Sequence, residues 1–205
     1  MNRARFLASG ARGATAVALG ATTAGLLLES AAPAEARTTA SGPLSDSDLA
    51  LARLAVGAEI LAAEFYTQAI ASKKYGAAVS KDLRRALFNE QEHLKAVSEV
   101  ISGAGQTPST ADDFDIAFPK NTFATRGSIA KFGVALETTM VGAYLGAVGS
   151  LDNPDLQTVA AQIASCESHH LSVFGELAAD RPLGLSFPVP LDEATASTFL
   201  DQFLS

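Results

Sequence analysis

Two copies of Glu-x-x-His stand in the chain: Glu90 with His93, and Glu167 with His170. On a helix, residues three apart are neighbours on one face, so each copy brings a carboxylate and an imidazole to a common spot. Glu59 is followed seven residues later by Tyr66, and Glu137 seven residues later by Tyr144. Seven residues make two helical turns with a drift of about 20°, so each Glu shares a face with its Tyr. The order Glu-x6-Tyr then Glu-x-x-His thus occurs twice, offset by 77 or 78 residues. It reads as an internal repeat of one helical hairpin. With 11 Glu and three His in 205 residues, chance supplies roughly 0.16 copies of Glu-x-x-His. Two copies at matching places, each preceded by Glu-x6-Tyr, are not a random pattern.

Folded face to face, the two halves bring four Glu and two His together. A bundle centre is dry, and an unpaired carboxylate there is costly. Four carboxylates would repel one another and take up protons, whereas two divalent cations would neutralise them. Carboxylate oxygen plus imidazole suits iron or manganese. Glu59, Glu90, His93, Glu137, Glu167 and His170 are therefore the expected ligands of two such ions. The bland alternative leaves them as polar residues on solvated helix faces. Tyr66 and Tyr144 are core residues or phenols bonded to a ligating carboxylate. Glu64 lies about 140° around the helix from Glu59 and should face elsewhere. Glu92 and His169, rotated by about 100° from the chosen residues, take supporting or surface roles. The single cysteine, Cys166, is expected to be a small buried hydrophobe.

The elements that must position these residues are helices of bundle length. Ser45 to Asp48 form a capping cluster. From Leu49 onward apolar residues recur at helical spacing, which predicts a first helix to about Lys74. A second runs from near Ser80 to Gly103, a third from near Thr125 to about Ser150, and a fourth from Asn153-Pro154 to about Asp180. Residues 104–124, with Pro108 and Pro119, read as a long connection. Three prolines break residues 181–190, and a short amphipathic helix is expected over Asp192 to Leu204. Short loops within each pair and a long middle crossover describe an all-α antiparallel four-helix bundle of two hairpins, with a short C-terminal helix.

Composition supports helices and narrows the partners. Hydrophobic residues make up 48% and charged residues 18% of the chain, with a net charge of −7. That acidic balance argues against nucleic acid and anionic membrane surfaces, both of which need clustered Lys and Arg. One cysteine excludes an internal disulfide framework. Arg3, Arg5 and Arg12, then the uncharged stretch Gly13 to Leu28, then Ala34-Glu35-Ala36 follow the order of a signal peptide over residues 1–36. The apolar stretch is short for a membrane span, so no integral membrane segment is expected in the mature chain; an uncleaved N-terminal anchor is the competing reading. Residues 37–180 then form the bundle and 181–205 a proline-containing tail. Asn2-Arg3-Ala4-Arg5-Phe6-Leu7 resembles a twin-arginine export signal, with Ala4 where the second arginine belongs. The route is thus twin-arginine or general secretory, and the expected location is periplasm, cell envelope or extracellular space.

At the six ligand positions the sequence resembles the ferritin-like superfamily, which includes ferritin, bacterioferritin, rubrerythrin and manganese catalase. There a Glu on the first and third helices and a Glu-x-x-His on the second and fourth hold two metals. The segment Glu59-Ile60-Leu61-Ala62-Ala63-Glu64-Phe65-Tyr66, with Ala143-Tyr144-Leu145-Gly146, more closely resembles the exported ferritin-like group that includes desiccation-related proteins. The resemblance covers about residues 45–180. It implies a ferritin-like bundle with two iron or manganese ions, and redox chemistry with dioxygen or peroxide. The competing expectations are a non-catalytic stress or envelope protein and an iron store. A homo-oligomer is compatible with each.

Overall fold

Helical spacing of apolar residues becomes four long helices in the computed structural model, which describes residues 44–179 and 181–205. The signal-peptide reading of residues 1–36 lies outside the described residues. The helices are α1 (Asp46–Ala71), α2 (Ala77–Gly103), α3 (Arg126–Ser150), α4 (Pro154–Ala179) and a short α5 (Glu193–Leu200). Among the described residues the only extended pairing is an isolated bridge between Ile116 and Leu204.

Local chemistry sets the helix ends. Ser45 Oγ accepts the Asp48 N–H at 3.1 Å and starts α1. Asp48 is itself buried, and its carboxylate accepts the Asp152 N–H at 2.8 Å, tying the start of α1 to the α3–α4 turn. The first helix stops three residues short of Lys74: Ser72 Oγ turns back onto the Ala69 carbonyl, and Lys73 adopts φ 55°. The second starts three residues ahead of Ser80, whose hydroxyl donates to the Tyr75 carbonyl instead of capping. Thr125 and Ser128 form a reciprocal capping box at α3. Asn153 Oδ1 accepts the Asp155 N–H at 2.9 Å ahead of α4, with Pro154 in the first helical position.

α1 packs against α2 and α3 against α4, giving two antiparallel hairpins. The crossover between them holds a 3-10 turn, Ala111–Asp113. Phe118 and Phe123 from the crossover pack with Phe65, Phe132 and Phe203. Gly133 on α3 leaves room for the Phe174 ring of α4, which would lie 2.5 Å from an added Cβ.

The C-terminal residues, set outside the bundle in the sequence reading, pack onto it. Leu191 donates its N–H to the Gly142 carbonyl of α3 at 2.8 Å. A Cβ at Gly146 would fall 1.8 Å from the Leu191 carbonyl oxygen, so only glycine admits this approach. α5 then lies over α1 and α3. The last residues pair with the crossover: Asp115 N–H to Ser205 O at 2.7 Å and Ala117 N–H to Phe203 O at 2.9 Å. The terminal helix is shorter than expected, with Asp192 as its cap and Leu204 in the bridge. α3 is long and apolar enough by length and hydropathy to cross a membrane, and here it packs against α4 and α5.

Candidate metal centre

Each long helix delivers one acidic side chain to the same layer of the bundle. Glu59, Glu90, Glu137 and Glu167 are all 0% exposed, and His170 is 5% exposed. The flanking residues explain the burial. On α1, Val56, Ile60, Leu61 and Phe65 are core residues, as are Leu136 and Met140 on α3 and Ile163 and Phe174 on α4. A helix anchored by those neighbours has no freedom to turn its glutamate outward.

The six residues sort into two overlapping groups. Glu59, Glu90, His93 and Glu167 form one; Glu90, Glu137, Glu167 and His170 form the other. Within each group the ligand atoms lie within 4.8 Å of one another. Glu90 and Glu167 belong to both, and their oxygens are divided between them. His93 Nδ1 is 3.0 Å from Glu167 Oε1, 3.4 Å from Glu90 Oε2 and 3.6 Å from Glu59 Oε2. His170 Nδ1 is 2.8 Å from Glu90 Oε1, 2.8 Å from Glu167 Oε2 and 4.0 Å from Glu137 Oε2.

These contacts are close but mostly not hydrogen bonds. One Nδ1–H has one direction, and in His170 it lines up with Glu167 Oε2. Glu90 Oε1, equally near, has no aligned donor, and neither do Glu59 Oε2, Glu90 Oε2, Glu137 Oε2 or Glu167 Oε1; His93 Nδ1 also lacks a partner. Native interiors leave few polar atoms in that state, because each costs about 1–3 kcal/mol and more if charged. Orphaned oxygens and nitrogens converging on two points are what a pair of cations would satisfy. The donor set, carboxylate oxygen with imidazole, fits hard or borderline divalent ions. These groups could hold metal.

The tyrosines cross between hairpins. Tyr66 of α1 donates to Glu137 Oε1 of α3 at 2.5 Å, and Tyr144 of α3 donates to Glu59 Oε1 of α1. In each carboxylate one oxygen is held by a phenol and the other faces the centre. Burial and the Glu137 charge push the Tyr66 hydroxyl well up, and burial with the Glu59 charge does the same for Tyr144. Both therefore stay protonated donors at neutral pH.

Burial, reinforced by neighbouring carboxylates, holds the Glu59 and Glu137 carboxyls well above the usual range. Burial also pushes Glu90 up, but the close approach of the His170 and His93 rings outweighs it and brings its carboxyl to about 2. Burial opposes the charged form of both imidazoles; contacts with Cys166 and the surrounding carboxylates reverse that and raise them.

Cys166 departs from the expected inert core position. It is half-buried, with Sγ 3.4 Å from Asn89 Nδ2 and 3.8 Å from His170 Nε2. Burial raises the thiol, but His170 and His93 outweigh this and bring it to about 7. Asn89, whose Nδ2 is 3.1 Å from His170 Nε2, did not enter the sequence reading. The signal was there: Asn89 precedes Glu90 as Cys166 precedes Glu167, at the same 77-residue offset. Glu92 and His169 are exposed, and Glu64 turns aside to accept from Gln68.

A comparison with curated proteins finds no match. The sequence profile described as ferritin-like domain matches residues 47–180, which spans all four long helices. With two hairpins, a long crossover and a buried cluster of four Glu and two His between them, the chain belongs to the ferritin-like domain family.

Proposed function

We propose that this is an exported ferritin-like protein whose six converging residues hold two iron or manganese ions and carry out redox chemistry with dioxygen or peroxide. The observation that carries the reading is the division of Glu90 and Glu167: each offers one oxygen to each group, leaving buried atoms without partners. Glu59 and His93 would complete one metal position, Glu137 and His170 the other. When bound, such a metal pair supplies reversible electron transfer to an oxygen species. The chain holds the terminal carboxylates in place through the Tyr66 and Tyr144 phenols. It excludes bulk water with apolar neighbours above and below the acidic layer. Export is proposed from the basic, then apolar, then small-residue order of residues 1–36. The likeness of residues 59–66 to desiccation-related proteins fits a role in envelope stress.

The test is metal analysis after anaerobic reconstitution with Fe2+ or Mn2+, followed by assays of Fe2+ oxidation and peroxide removal. About two ions per chain and turnover that E90Q and E167Q abolish are expected. Well under one ion per chain refutes the reading. Enclosure of the centre favours one alternative, a structural metal site, since all four Glu are 0% exposed. Stoichiometric metal with no turnover of either substrate would select it.

A further inference from the structure

The two ends of the bundle interior are filled differently. From the acidic layer towards the α1–α2 turn, rings take the space between the helices. Phe65 of α1 packs on Phe132 of α3 and Phe174 of α4, with centroids 5.2 and 5.6 Å apart. Tyr66 joins them, 5.5 Å from Phe65 and 5.7 Å from Phe174. Towards the α3–α4 turn the side chains are mostly small. Ala52 and Ala55 of α1, Val97 of α2, Tyr144 and Ala147 of α3 and Ala160 of α4 surround a hollow of about 40 Å³.

These residues stand on the helix faces that carry the acidic and imidazole groups. Ala55 comes one turn before Glu59 and Val97 one turn after His93; Tyr144 comes two turns after Glu137 and Ala160 two turns before Glu167. The hollow therefore continues the centre along the bundle axis, with Tyr144 between them. Its ring lines the hollow, and its hydroxyl donates to Glu59 Oε1. Among the described residues that line the hollow, Tyr144 is the one whose side chain has a polar atom. A second hollow of similar volume shares Leu51, Ala55, Tyr144 and Ala147 with the first. It lies against Leu191 and Leu200 and runs out to the exposed Asp192 and Glu193.

Close packing leaves few voids larger than a water molecule in a native interior. One water needs about 10–15 Å³ and two to four polar partners. The hollow has the room but, with the Tyr144 hydroxyl committed to Glu59, lacks the partners. Apolar hollows of this kind accept uncharged apolar molecules such as xenon. Dioxygen has the same character. Peroxide would give up its hydrogen bonds to water on entering.

We propose that the alanine-lined end of the bundle is a binding site for a small apolar gas and holds dioxygen beside Tyr144 for the centre. The inference rests on the reading that the centre carries out oxygen chemistry, and it names dioxygen rather than peroxide as the substrate.

Crystals of the metal-free protein pressurised with xenon test the site without turnover. An anomalous peak is expected among Ala52, Ala55, Ala147 and Ala160. A160L puts a larger side chain into the hollow and should abolish the peak without lowering the melting temperature, because it fills space that no other group occupies. A160V adds less and should weaken the peak; it carries the same comparison should A160L not fold. In Fe2+-loaded protein either variant should slow oxidation by dioxygen, A160L several-fold, and leave oxidation by hydrogen peroxide unchanged. Absence of a xenon peak in wild type, or equal slowing with both oxidants, overturns this inference alone. Xenon bound in wild type, with no reaction of the Fe2+-loaded protein with dioxygen, overturns the redox reading and with it the delivery of dioxygen, while the gas site stands.

Discussion

Replacing Glu137 by Gln is expected to make the metal-free protein more stable. Its carboxylate is fully buried, with one oxygen bonded to Tyr66 and the other without a hydrogen-bond partner. Glutamine keeps an oxygen for the phenol and cannot ionise, so it avoids the cost of either charging or protonating a carboxyl that burial and the Glu167 and Glu90 charges push up. An unpaired buried polar group costs about 1–3 kcal/mol, and a charged one more, so a gain of about 2 kcal/mol is expected at pH 7. At 2–4 °C per kcal/mol for a domain of this size, the melting temperature should rise by about 4–8 °C. The pH dependence gives the sign. A carboxyl whose folded value is raised is neutral in both states below about pH 4.3 and weakens folding as pH climbs above that. The advantage of E137Q should therefore be absent near pH 4 and grow towards pH 7. Metal should reverse the order. Wild type with free Mn2+ at a hundred times its Kd gains about 2.7 kcal/mol, which E137Q should largely lose. Differential scanning calorimetry at pH 4 and pH 7, with and without Mn2+, reads all four values. A lower melting temperature for metal-free E137Q at pH 7, or an equal gain at both pH values, would refute the reasoning.

Mn2+ binding should release protons, because the raised Glu59, Glu137, His93 and His170 hold theirs at neutral pH; affinity then rises with pH. Calorimetric heats that do not depend on the buffer's ionisation enthalpy would contradict this. Y66F and Y144F each remove a hydrogen bond to a buried carboxylate and should each cost about 1.5–3 kcal/mol in urea unfolding; costs under 0.5 kcal/mol would mean that the phenols do not hold Glu137 and Glu59. G146A places a methyl where the Leu191 carbonyl oxygen lies, so the tail must lift from α3. Its expected signature is faster limited proteolysis within residues 181–192 with helical circular dichroism retained, and an unchanged cleavage rate would argue against the close packing of the tail on α3.

Helical periodicity alone carried the bundle, because apolar residues at helical spacing define a face whatever packs against it. It also placed Glu59 with Tyr66, Glu137 with Tyr144, and each Glu with its His, since those pairs lie within two turns of one helix. Helix ends were less legible. Ser80 has the chemistry of a cap, yet its hydroxyl bonds Tyr75 and the helix begins at Ala77. Local sequence does not say which of several competing polar groups a backbone will use.

Contacts between helices were decided only by tertiary structure. Nothing within α1 says that Tyr66 bonds Glu137 rather than Glu59, because that choice depends on the register between the hairpins. The same register sets Asn89 against His170 and turns Cys166 from an expected core residue into part of the centre's edge. It also divides the oxygens of Glu90 and Glu167 between two groups. The sequence by itself determined which side chains share a helical face, a matter of the angle between residues along one chain. Packing decided which faces meet, and so which atoms are left without partners, because that depends on how side chains far apart in the chain fill the same space.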